Sequence, residues 1–191
     1  AEGVDYDCRL HISGIDIEGD TDNNLVVRAY RLLAADYTLP PVDIHLHKHI
    51  PTGAGLGGGS ADAGFMLRLL NEMFELGITT EQMEEYATRL GADCPFFITG
   101  TPVYATGIGN EFHPIDLNLE GWYLVFVKPD VFVSTKEAYS MVCPKKPETT
   151  LDKKIGMPIA EWKENISNDF EKGIFARHPE LTDIKEKLYT L

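Results

Sequence analysis

The sequence predicts an α+β fold, a mixed β-sheet packed against helices, on three observations. Two early stretches alternate apolar and polar residues with period two. A glycine-rich loop follows the second of them directly, and two amphipathic helical patterns follow the loop with no strand between them.

In chain order, Tyr6, Cys8, Leu10 and Ile12 alternate with Asp7, Arg9 and His11, the pattern of a strand with one buried face; a hairpin return through Ile15 and Ile17 is expected. Asp22, Asn23 and Asn24 offer N-caps to a helix carrying Val26, Ala29, Tyr30 and Leu33 and ending near Asp36. Pro40 and Pro41 stop it, and Val42, Ile44 and Leu46 alternate with Asp43, His45 and His47 in a second strand that runs into the loop. Beyond the loop, Met66, Leu69, Leu70, Met73 and Phe74 form an apolar stripe at helical spacing, with Gly77 at the expected C-cap. Thr79 and Gln82 match a capping box for a further helix bearing Met83, Tyr86, Ala87 and Leu90. Residues 103–105, 111–115 and 122–127 read as strands, the last so uniformly apolar that a central place in a sheet is expected. Past Pro129 the pattern weakens. Pro144, Lys145, Lys146 and Pro147 read as a surface loop, helices are expected over Ile159–Asn165 and 181–191, and a second subdomain is expected to begin near Val131.

A chain of 191 residues can bury a core without staples, and its three cysteines, Cys8, Cys94 and Cys143, form no CxxC pair. They point to the reducing cytoplasm. No apolar run approaches the roughly 20 residues of a membrane span, so no membrane partner is expected. A net charge of −13 argues against a nucleic-acid surface. It leaves room for small anions, because main-chain amides and bound cations do not enter the formal charge.

The chemistry concentrates in Pro51, Thr52, Gly53, Ala54, Gly55, Leu56, Gly57, Gly58, Gly59, Ser60 and Ala61. Five of the ten residues 51–60 are glycine, a composition that makes sense where backbone bends sharply or approaches a ligand closely. A helix beginning at about Ser60 directs its free amides and positive dipole end at the same spot, which suits phosphate oxygens better than a merely flexible turn. A Walker loop would need Lys before Ser60, where Gly59 stands. Gly53, Gly55 and Gly58 satisfy a dinucleotide fingerprint, but that unit needs a strand, not a helix, over the following 79–90 stretch. The second motif, Gly91-Ala-Asp93-Cys-Pro-Phe-Phe97, places a carboxylate after the second helix. Asp93 could simply cap a helix before Cys94-Pro95; in a phosphoryl-transfer site the same acid orients a hydroxyl and accepts its proton.

Together these segments resemble the GHMP kinases, whose loop pattern P-x-G-x-G-L-G-S/G-S/G-S runs through residues 51–60. The Gly-Gly-Gly-Ser ending, the Gly-Ala-Asp-Cys-Pro stretch and Asp22-Asn-Asn-Leu-Val-Val-Arg-Ala29 resemble the branch whose acceptor is a diphosphocytidyl sugar alcohol. The resemblance covers Tyr6 to about Tyr139. It implies a ribosomal protein S5 domain 2-like N-terminal part over 1–130, lacking its first strands, and the start of an incomplete C-terminal domain over 131–191. It implies transfer of the γ-phosphate of ATP, with Mg²⁺, to the 2-hydroxyl of 4-diphosphocytidyl-methylerythritol in non-mevalonate isoprenoid synthesis. It implies Asp93 as catalytic base, residues 51–61 around the phosphates, and Asn24, Leu25, Lys48 and Ile50 near adenine, although for Leu25 and Lys48 an ordinary packing role is an equal reading. Phe132, Thr135 and Tyr139 fall in the segment on the family's substrate side, without an individual role.

The family's N-terminal lysine-bearing strand and its late glycine-serine motif have no counterpart here, so an internal fragment of a longer kinase is expected. His45, His47 and His49 share one strand face; with no carboxylate or cysteine cluster beside them they are read as solvated and no metal site is expected. Cys94 is read as a small buried apolar residue. The competing functions are a homoserine- or mevalonate-type kinase, a nucleotide-binding fragment without activity, and a dinucleotide-binding oxidoreductase.

Overall fold

Cys8–Gly14 (β1) and Val42–Lys48 (β2) pair in parallel, from Cys8 opposite Val42 to Gly14 opposite Lys48, in a computed structural model that describes residues 7–17 and 19–190. Tyr6, expected to open the first strand, lies outside the described residues. The hairpin through Ile15 and Ile17 does not form. A Cβ at Gly14, where φ is +84°, would stand 2.3 Å from the Lys48 carbonyl oxygen, and beyond it only the Ile15 N–H donates to that oxygen, at 2.9 Å, before the chain leaves the sheet. A parallel partner requires a crossover. Leu25–Ala34 (α1) supplies it, started by Asn24, whose side chain accepts from Val26 N–H at 3.0 Å.

The core of this first unit is the buried face of α1 (Val26, Val27, Ala29, Tyr30, Leu33) against Ala63, Met66, Leu67 and Leu70 of Gly58–Met73 (α2) and Ala87 and Leu90 of Thr80–Leu90 (α3). Tyr30 keeps its hydroxyl satisfied by donating to Pro40 O at 3.0 Å. The capping box of α3 forms in both directions between Thr79 and Gln82. Two details of α2 differ from expectation. It ends at Met73, with Phe74 and not Gly77 in the cap, and the turn is pinned by the Asn71 side chain, which bonds both N–H and C=O of Ile78 at 2.9 and 3.0 Å. Its buried row runs through Ala63, Leu67 and Leu70 because α1, α3 and the following short helix all pack on that side. Leu69 and Met73 are therefore left half exposed or more, and with Phe65 they line an open groove of about 510 Å³ against β2.

Phe96–Thr99 (α4) packs on α2, and Val103–Thr106 (β3) pairs antiparallel with Glu111–Pro114 (β4), both strands close to where the alternation placed them. The α+β class holds, with the strands arranged as one parallel and one antiparallel pair among the described residues. The chain divides between Pro114 and Ile115 into two compact units.

In the second unit, residues 122–127 are not a strand. Strand character needs the hydrogen bonds of a neighbour, no described strand pairs with this run, and its side chains are exposed, Tyr123 to 96%. The unit is helical: Thr135–Met141 (α5), Leu151–Ile155 (α6), Ile159–Asn165 (α7), Glu171–Arg177 (α8) and Pro179–Leu188 (α9). α7 matches expectation and α9 begins two residues early, while α5, α6 and α8, at 5 to 7 residues each, were not anticipated. The 144–147 segment is exposed and irregular, as expected. No helix among the described residues is long and apolar enough to cross a membrane.

Candidate active site

The glycine loop is a series of turns between β2 and α2, with Gly53, Gly55 and Gly57 at φ of 73°, 71° and 65°. Those left-handed conformations disfavour side chains and fold the backbone back on itself. Gly57 is the N-cap of α2 and offers no side chain, so the first amides of a 16-residue helix carry no side-chain cap. The helix begins at Gly58, two residues before the expected Ser60, which brings the Gly58 and Gly59 amides into the same first turn. Crowding explains these glycines as well. A Cβ on Gly58 would lie 2.9 Å from Ile50 Cγ2 and 3.3 Å from Lys48 Nζ, and one on Gly57 would lie 3.0 Å from Phe97 Cζ.

Beside the loop lies a cleft of about 310 Å³ whose wall includes Asn24, Leu25, Lys48, Thr52 and Gly59. Of the four residues expected near adenine, Asn24, Leu25 and Lys48 thus share one cavity with the loop. Ile50 is not on its wall; its side chain packs on Gly58. The larger groove against β2 is lined mostly by apolar side chains, with Asp43, His45, Asp62, Arg68 and Glu72 among them, and touches no part of the loop, so size is a poor guide to the chemistry here. Lys48 is buried, 4% exposed, and its ammonium forms an ion pair with Asp62, which also lines the cleft. Asp62 was not anticipated. The signal was present: Lys48 falls in the inward phase of Ile44 and Leu46, and a lysine there demands a buried acid.

The second motif converges on the same helix start. Cys94 is fully buried, its carbonyl oxygen 3.3 Å and the Phe97 Cβ 2.8 Å from where a Cβ on Gly64 would stand. Burial pushes the Cys94 thiol up, its contact with Ser60 pulls the other way, and Asp93 and Arg28 act on it with opposite signs. Ser60, Cys94, Asp93 and Arg28 therefore share one neighbourhood; Arg28, on the exposed side of α1, entered the sequence reading only within the Asp22–Ala29 stretch, with no role of its own. Asp93 caps no helix, since α4 opens after Pro95, and its exposed carboxylate has no hydrogen-bond or ion-pair partner among the described residues.

The histidines do not gather into a ligand set. His45 stacks on His11 at 4.7 Å, His47 Nδ1 bonds Ser13 Oγ at 2.8 Å, and His49 meets the His47 ring edge-on. Phe132, Thr135 and Tyr139 belong to the second unit, where Tyr139 packs edge-on against Phe170 at 5.0 Å.

The glycine loop opens a 16-residue helix, and the Cys94–Phe97 turn that follows Asp93 packs against the first turns of that helix; residues 24–101 match the family model for the GHMP kinases N terminal domain. A 4-diphosphocytidyl-2-C-methyl-D-erythritol kinase of Bacteroides fragilis is 56% identical over 181 residues, covering 95% of this chain and 66% of its own length. The enzyme of the same name from Azobacteroides pseudotrichonymphae is 48% identical over 93% of this chain and 67% of its own. A crystal structure of 4-(cytidine 5'-diphospho)-2C-methyl-D-erythritol kinase superposes with a TM-score of 0.70 at 27% identity, over 97% of this chain and 67% of that one. The chain belongs to the 4-diphosphocytidyl-2-C-methyl-D-erythritol kinase family of GHMP kinases. It spans 66% of the length of the Bacteroides relative.

Proposed function

We propose that the intact protein transfers the γ-phosphate of ATP to the 2-hydroxyl of 4-diphosphocytidyl-2-C-methyl-D-erythritol, in the non-mevalonate route to isoprenoids. The observation that carries this reading is the packing of the Cys94–Phe97 turn on Gly57, Ser60 and Gly64, by which the aspartate motif and the phosphate loop share one helix start. The names of the relatives support the acceptor.

In this reading the amides from Gly53 to Ala61 bind the β- and γ-phosphate oxygens, aided by the positive end of α2. Asn24, Leu25 and Lys48 line the nucleoside cleft, with Ile50 behind the loop. The acceptor hydroxyl approaches from the Asp93 side. Its oxygen forms a bond to the γ-phosphorus while the bond to the β–γ bridging oxygen breaks; ADP departs with that electron pair, and the hydroxyl proton passes to the Asp93 carboxylate. Mg²⁺ bound with ATP neutralises phosphate charge. No group of three or more His, Cys, Asp or Glu among the described residues is placed to hold a metal. In this reading Ser60 and Asp93 would supply the protein oxygens for the ion, with the nucleotide and water supplying the rest. Residues 131–191 are read as the beginning of the family's C-terminal domain, on the substrate side. The cytoplasm is the proposed location, supported by three free thiols.

The dinucleotide-oxidoreductase alternative needed a strand over 79–90; that stretch is α3. Phosphorus NMR of the intact protein with ATP and a panel of the diphosphocytidyl sugar alcohol, homoserine, mevalonate and galactose tests the rest. We expect turnover of the first alone, and a loss of about 10²- to 10⁴-fold in kcat for Asp93→Asn. Unchanged turnover in that variant removes Asp93 from the mechanism, and preference for another acceptor replaces the substrate.

A further inference from the structure

We propose that Asp62 is a positioning residue for the phosphate loop, acting through Lys48: their ion pair clamps together the two ends of the loop, the last residue of β2 and the opening turns of α2. The inference rests on the proposed function only in taking the loop as the nucleotide's seat.

Lys48 ends β2 and Asp62 is the fifth residue of α2, so everything between them, including all five loop glycines, is strung across this one contact. The pair is well shielded, with side-chain exposures of 5% and 25%. Among the described residues Asp62 is the only anionic partner of the Lys48 ammonium. Two consequences follow. First, Lys48 is not a free cation waiting for a phosphate: its charge is already matched, and the loop's amides are left to do the anion binding. Second, the clamp sets the loop's ends before any ligand arrives. A stretch half glycine loses a large conformational entropy when ordered, and a loop ordered in advance spares the ligand that cost. Lys48 Nζ also stands 3.3 Å from where a Gly58 Cβ would be, so the clamp touches the amide-bearing turn itself.

Two kinds of variant separate a clamp from a filler. Cutting one half leaves a desolvated charge, which destabilises on its own; replacing both halves with apolar side chains, Lys48→Met with Asp62→Leu, removes that penalty and also the directed bond. The readouts are hydrogen exchange of the 53–61 amides in the intact protein without nucleotide, melting temperature, and KM for ATP. For Asp62→Ala we expect exchange in the loop faster by about tenfold or more, and KM for ATP raised about ten- to hundredfold, with the loss on KM and not on kcat. Asp62→Asn, which keeps an acceptor, should fall between. The double variant should regain the parent's melting temperature while loop exchange stays fast and KM high. If it regains slow exchange and low KM as well, or if Asp62→Ala exchanges like the parent, the pair is filler and the proposal falls. Should Asp62→Ala fail to fold, the double variant alone decides. Absence of ATP turnover by the parent would overturn the proposed function, while the exchange data, which need no ligand, would still judge the clamp.

Discussion

Gly64→Ala sets two effects of opposite sign against each other. Gly64 is interior to α2 and buried, and on helix propensity alone alanine would stabilise by about 1 kcal/mol. The added Cβ, however, would lie 2.8 Å from Phe97 Cβ, 3.3 Å from Cys94 O and 3.4 Å from the Phe97 carbonyl carbon. None of these is the free end of a flexible side chain, so the 94–97 turn has to move away from the helix. Overpacking of this kind costs roughly 1–3 kcal/mol. Clash wins, and the net change is a destabilisation of about 0–2 kcal/mol, a fall in melting temperature of up to several degrees. On the proposed mechanism the larger effect is on chemistry, because Asp93 immediately precedes the displaced turn, and a shift of about 1 Å in a reacting group costs on the order of 10²-fold in rate. Thermal melts and steady-state kinetics of the intact protein check both, with kcat expected to fall more than KM for ATP rises. A variant that melts higher than the parent and turns over normally would show that the turn yields freely and that the packing argument is wrong.

The thiols give a second check. Cys143 is exposed while Cys94 is fully buried with its ionisation pushed up by that burial, so a maleimide pulse on the folded protein should label Cys143 first and Cys94 last, as read by peptide mass spectrometry; early labelling of Cys94 would mean that the turn opens. A third prediction concerns acid. The Arg31 guanidinium, 2.9 Å from Asp7, holds that carboxyl below its ordinary value, so the pair's contribution is complete above the unfolded carboxyl's pKa of 3.8 and is lost as pH falls through the lower folded value. Arg31→Met should lower stability by a few tenths of a kcal/mol near pH 7, both groups being about half exposed, and the gap to the parent in urea melts should close below about pH 4. A gap that persists there would assign the loss to Arg31's packing.

Much of the first unit was legible because its signals are local. Asn24, Thr79 and Gln82 cap where cap chemistry placed them, and the period of Val42, Ile44 and Leu46 is that of β2. The glycine loop was equally legible, since three of its glycines sit at positive φ. What sequence could not supply was pairing and rotation. Whether β1 meets a hairpin partner or a parallel one depends on Gly14's approach to Lys48, and which side of α2 is buried depends on where α1 lies, so Leu69 and Met73 were misjudged. The 122–127 run shows the limit from the other side. Its apolar, β-branched and aromatic composition states a preference, but composition does not provide the neighbouring edge that would satisfy it. Asp62 was missed for a related reason: an acid in a helix looks solvated until the lysine facing it is known to be buried.

Gly14 lies far from the loop in sequence, yet its bare α-carbon lets the first strand seat against the main chain of Lys48, while that residue's side chain is gripped from α2. The launching point of the loop is thereby anchored on two sides by partners drawn from different elements. Sequence tolerance should be narrow at Gly14, because a methyl group there would push against the Lys48 carbonyl and tilt the platform from which the glycine loop is hung.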